Sequence, residues 1–119
     1  MFNGAIIKES LAEEDILENL PVVKTEVEDI RNPAPDQPSQ WHLFYFEIPE
    51  QDADAWAHRF SGALRNGTWY IDFKNEKEIY VVFAEKIFHY QRGDVASHAE
   101  AQAYGRSLGL PEKQLAWSE

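Results

Sequence analysis

The run Trp41-His42-Leu43-Phe44-Tyr45-Phe46-Glu47-Ile48 decides how the rest of the chain is read. Trp41, Leu43 and Tyr45 fall on one parity, and Phe44, Phe46 and Ile48 on the other. Successive side chains of a strand point to opposite faces, so this segment predicts an interior strand covered on both sides. Directly after it, Ala53, Trp56, Ala57, Phe60 and Leu64 recur at helical spacing, which predicts a helix over 52–65. Asn66-Gly67 supplies the left-handed stop behind that helix.

Working towards the C-terminus, Thr68 to Lys74 alternates Trp69, Ile71 and Phe73 with Tyr70, Asp72 and Lys74. Asn75-Glu76-Lys77 reads as a turn, Glu78 to Ala84 as an apolar strand, and Glu85-Lys86 as a second turn before a strand over 87–90. A final helix is expected over 97–108, with Ser97-His98-Ala99-Glu100 as a capping box and Gly109, Leu110 and Pro111 as its end. Working towards the N-terminus, Arg31 to Gln40 carries Pro33, Pro35 and Pro38 and reads as a loop. Val22 to Ile30 alternates Val23, Thr25 and Val27 with Lys24, Glu26 and Glu28, the pattern of a half-exposed strand. Ser10 to Leu20 reads as a short helix opened by a Ser10-to-Glu13 capping box and closed by Pro21. Phe2 to Lys8 reads as a first strand.

The expected fold class is therefore α+β, over residues 1–119 as a single domain. It comprises an antiparallel sheet of five to six strands with two or three helices mainly on one face. The first six elements match the split βαβ order of ferredoxin-like folds, followed by a C-terminal extension.

Bulk properties narrow the function classes. With 44% hydrophobic and 27% charged residues, this is the composition of a folded domain. There is no cysteine, which excludes disulfides, thiol catalysis and thiolate metal sites and favours a reducing compartment. No signal-peptide pattern or membrane-span length of apolar residues occurs, so a cytoplasmic location is expected. Eleven basic against twenty-one acidic residues leave a net charge of −10, a field that repels nucleic acid and anionic membranes. A basic protein partner or a cationic ligand suits it better, whereas self-association into a homodimer would use an aromatic sheet face.

No catalytic pattern emerges. His42, His58, His89 and His98 lack the spacing that presents two ligands to one metal ion. His98-Ala99-Glu100 matches half of a deaminase signature whose cysteines are missing. Asp52-Ala53-Asp54 sits where a helix start attracts carboxylates, Asn66-Gly67-Thr68 is first a helix stop, and Pro35 to Pro38 is a minimal PxxP spacing. The six glycines build no phosphate loop. No cofactor and no metal is implied.

Two surfaces remain as candidates. One is acidic, with Glu13 and Glu14 at its centre and Asp15, Glu18, Glu26, Glu28 and Asp29 around them. The other is an aromatic sheet face carrying Tyr70, Tyr80, Phe88 and Tyr90 with His89. Both support a non-enzymatic protein-interaction or ligand-binding module. The alternative is a small enzyme or small-molecule binder with a cleft beside His89, Tyr90 and Arg92.

Overall fold

Residues 1–31, 38–110 and 112–115 are described by the computed structural model, the Lys113 side chain excepted. The strands are β1 (Phe2–Ile7), β2 (Val22–Asp29), β3 (Gln40–Ile48), β4 (Tyr70–Lys74), β5 (Glu78–Phe83) and β6 (Lys86–Gln91). They form one sheet in the order β2-β3-β1-β4-β5-β6, with every neighbouring pair antiparallel. It follows that β1 and β2 run parallel with β3 inserted between them, and β3 and β4 run parallel around β1. That is the expected split arrangement, extended by the β5–β6 hairpin and a final helix.

Two α-helices, α1 (Ala53–Ala63) and α2 (Val95–Ser107), lie on opposite faces of the sheet. Phe2, Phe46, Phe73 and Tyr80 pack against Trp56 and Phe60 of α1. Ile79, Val81, Phe83 and Tyr90 pack against Ala101 of α2 and against Leu110 and Leu115 beyond it. The expectation of helices mainly on one face is corrected here, and β5 supplies the reason. Its apolar residues fall on both parities, so each side of the strand needs its own cover.

The expected helix over 10–20 does not form; 3₁₀ turns at Lys8–Ser10 and Glu14–Glu18 replace it. The backbone amides there have other partners. Leu11 donates to Lys8, while Ala12 and Glu13 both donate to the carbonyl of Ala63 at the end of α1. Ser10 is fully buried and its hydroxyl donates to the Ile7 carbonyl at 2.5 Å, so it is no helix cap. Ile16 and Leu20 still reach the core. The β2 expectation is corrected as well. β2 is an edge strand with a bulge between Val22 and Lys24, and Val23 and Val27 stay 61% and 57% exposed because no described helix reaches that far.

Asp94, not Ser97, caps α2: its carboxylate accepts the Ser97 amide at 3.1 Å and the Ser97 hydroxyl at 2.8 Å. Those bonds hold its pKa below the ordinary aspartate range. Gly109 ends α2 as expected, at φ 96°. Pro33, Pro35 and Trp117 lie outside the described residues.

Candidate functional site

Strand registry arranges the α2 face into rows. One row runs Lys24–Tyr45–Ala5–Asp72–Val81–Phe88 across five strand pairings, and the next runs Glu26–Leu43–Ile7–Tyr70–Phe83. The Ala5–Asp72 and Ile7–Tyr70 neighbours follow by continuing the Gly4–Phe73 pair along both strands. Helix α2 and the segment after it cover the β5 and β6 ends of these rows. Among the described residues, no helix covers the ends on β1, β2 and β3.

Two hollows lie on the uncovered part, and Ala5 and Asp72 line both. The smaller encloses about 120 Å³ between Trp41, Leu43, Trp69, Tyr70 and Gln114. The larger, about 340 Å³, is bounded by Asn3, Tyr45, Glu47 and Lys74. The small methyl of Ala5 leaves the floor low, and the rings of β3 and β4 raise the walls. Tyr70 is fixed by donating its hydroxyl to the Gln114 carbonyl at 3.1 Å. Gln102 holds the same segment by donating to the Leu115 carbonyl at 3.0 Å. Trp41 donates its ring N–H to the Pro38 carbonyl at 3.1 Å and meets Trp69 at 5.8 Å between ring centroids.

Asp72 sits mid-strand among these groups. Burial pushes its carboxyl above the ordinary aspartate range, while Lys74 and the Asp72 backbone amide pull the other way. Its own backbone amide donates to it, and no described side chain does. The buried Oε1 of Gln114, in the same hollow, lacks a partner among the described residues. Two acceptors thus face one small space.

The sign of the Asp72 shift has a consequence for stability. Folding raises this pKa, so the native state holds the proton more tightly than the unfolded chain does. Stability is undiminished below the unfolded aspartate range and falls as pH rises towards the folded value. Asp72→Asn is expected to raise stability at neutral pH by about 1–3 kcal/mol, the cost of a desolvated charge that Lys74 and one backbone amide offset only in part. The gain should disappear in acid, which urea unfolding at both pH values measures. A neutral-pH loss on substitution would mean that the carboxylate is satisfied.

The residues singled out in the sequence separate widely. Tyr70 is the one brought to this site. Tyr80 is buried on the other face, because Phe73 and Tyr80 are direct partners across the β4–β5 pair. Its ring lies between Phe73 at 4.7 Å and His89 at 4.0 Å, both stacked. His89 Nε2 meets the Glu78 carboxylate at 2.5 Å. Tyr90 is buried beneath α2 against His98. The shared aromatic face expected for Tyr70 and Tyr80 therefore does not exist. Nor is there a cleft joining His89, Tyr90 and Arg92: the first two point to opposite faces, and Arg92 donates to the Asn75 carbonyl at 2.8 Å. The hollow beside Tyr90 measures about 10 Å³.

The acidic residues do not form one face either. Glu13 lines a shallow groove with Asp15, Glu18 and Arg59, and exposed Glu14 lies 3.9 Å from Lys8. Glu26 lies on the far strand, bound to Lys24 at 3.0 Å. Among the described residues no group of three or more His, Asp or Glu converges to hold a metal ion. No described helix is long and apolar enough to cross a membrane.

Sequence reasoning missed Asp72, Ala5, Trp41, Leu43 and Gln114. One signal was present: a carboxylate between Ile71 and Phe73, in a strand interior where aspartate is disfavoured. Comparison with family models, curated proteins and solved structures returns no match. The geometry alone carries the functional argument.

Proposed function

We propose that this chain is a non-enzymatic ligand-binding module whose site is the pair of hollows around Asp72, on the part of the sheet that α2 leaves bare. The observation that carries the reading is the Asp72 carboxyl itself, desolvated, met by no described side-chain donor, and set in the wall of a space lined by aromatic rings. The fold has no use for a charge there, since Leu or Val would suit a strand interior better. A group that costs stability and faces a cavity is the mark of a binding site. The smaller hollow offers one carboxylate, Asp72, and one phenol, Tyr70, whose hydroxyl is already donated to the Gln114 carbonyl and so is not paired with the carboxylate as nucleophile and base. That suits holding a ligand rather than transforming it.

The test is a panel of small amines, carboxylic acids and neutral amides, followed by amide and indole shifts in ¹H–¹⁵N spectra. At least one member should move Ala5, Tyr70, Asp72 and the indoles of Trp41 and Trp69 together. Ala5→Leu, which fills the floor of both hollows without entering the α1-side core, should abolish the response. Shifts gathered instead at Glu13 and Arg59, or none at all, would overturn this reading.

A further inference from the structure

Resting on that reading, we infer that the ligand is a small alkylated ammonium ion, its charge beside Asp72 and its alkyl groups against the corner formed by Trp41 and Trp69. Three independent features of the hollow select this chemistry.

The first is the sign of what lines it. The smaller hollow presents the Asp72 carboxyl, the unpartnered Oε1 of Gln114 and aromatic rings, and none of its lining residues is cationic. Carboxylate oxygen, amide oxygen and ring face are all negative, and tryptophan gives the strongest cation–π attraction of the aromatic residues. An anion gains nothing here. A cation relieves Asp72 of a desolvation that Lys74 and its own backbone amide offset only in part. The net charge of −10 adds a long-range field that concentrates cations near the surface.

The second is hydrogen-bonding capacity. A bare ammonium ion brings several N–H donors, and a metal ion needs three or more ligating atoms. The Asp72 carboxylate and the Gln114 oxygen stand in a lining that is otherwise mostly carbon, so a bare ammonium or metal ion would give up more hydration than the lining returns. Alkyl groups on nitrogen remove the surplus donors, weaken hydration and present carbon to the rings of Trp41, Trp69 and Tyr70.

The third is size. A hollow of about 120 Å³ has room for roughly four waters at about 30 Å³ each. That suits a methylated ammonium head group. A nucleotide or a folded peptide does not fit. Any longer substituent on nitrogen would run over Ala5 into the larger hollow, where Lys74 and Asn3 stand.

The experiment pairs choline with 3,3-dimethylbutan-1-ol, its uncharged isostere of the same shape, and reads tryptophan fluorescence and indole shifts. Choline is expected to bind at least about tenfold more tightly, to move the Trp41 and Trp69 indoles, and to bind more tightly as pH rises through the Asp72 titration. Asp72→Asn, which is expected to fold, should abolish the preference for choline while leaving weak binding of the alcohol. If both probes bind equally, the hollow is a site but the cation assignment is wrong. If neither binds while an acid or amide from the panel moves the same residues, the site again stands and the cation assignment falls. If no compound moves them, both readings fail together.

Discussion

Phe73→Ala is expected to remove about 3–5 kcal/mol of folding free energy, the range for emptying a buried phenylalanine site. Phe73 is fully buried at the junction of four elements. Its ring meets Phe2 of β1 at 5.7 Å, Phe46 of β3 at 5.9 Å, Phe60 of α1 at 5.7 Å and Tyr80 of β5 at 4.7 Å. Each such pair adds about 0.5–1.5 kcal/mol beyond area burial, so the site cannot collapse without disturbing four others. Against a total stability of about 5–15 kcal/mol for a domain of this size, the loss would leave a small or negligible margin. Phe73→Leu retains most of the volume and should cost much less. Urea unfolding with unchanged m-values would establish both figures. A loss under about 1 kcal/mol for alanine would show that these rings are not the centre of the core.

The same residue explains what could and could not be read in the sequence. Helix α1, β3, β5 and the Gly109 stop follow from periodicity and caps, which are local. Placing Tyr80 required more. From Tyr70, Asp72 and Lys74 the expectation carried Tyr80 to the same face, but pairing across the β4–β5 turn joins odd-numbered residues to even-numbered ones. That registry is set by Asn75, whose side-chain oxygen accepts the amides of Lys77 at 2.9 Å and Glu78 at 2.7 Å. Turn chemistry thus moved every β5 side chain to the face opposite the one assumed. The 10–20 segment failed for a related reason. Its amides bind Ala63, a partner more than fifty residues away that no local pattern reveals.

β3 was legible in a different sense. Its rings on both parities were read as two buried faces, yet Trp41 and Tyr45 are only half-buried. They are the walls of the hollows, not a second core. An excess of aromatic residues on a strand whose second face no described helix covers is the trace that the proposed binding surface would leave in a sequence. It could be seen in the sequence, but it could not be distinguished there from packing until the position of α2 was known.

Gly4→Ala is expected to cost about 3 kcal/mol and to disturb the candidate site as well, because Gly4 marks where β1 and β4 approach most closely. A methyl there would stand 2.6 Å from Cβ of Phe73, 2.7 Å from the backbone oxygen of Asp72 and 3.0 Å from the ring of Phe46. Two of those atoms belong to or adjoin the β4 backbone, so no rotamer change relieves the contact and the strands must separate. Separation shifts Asp72 relative to Ala5, and the floor of both hollows moves with them. Gly62 provides the control. A methyl there meets nothing within 4 Å, and in the last turn of α1 alanine should stabilise by up to about 0.5–1 kcal/mol. Opposite signs for two glycine-to-alanine changes in one chain isolate steric closeness from backbone entropy, which favours alanine at both. The Gly4 variant should also show shifted Ala5 and Asp72 amides and weaker choline binding, whereas the Gly62 variant should bind normally. A stable Gly4→Ala protein with unchanged spectra would mean that β1 and β4 lie further apart than the site requires, and the alignment of Ala5 with Asp72 would fall with it.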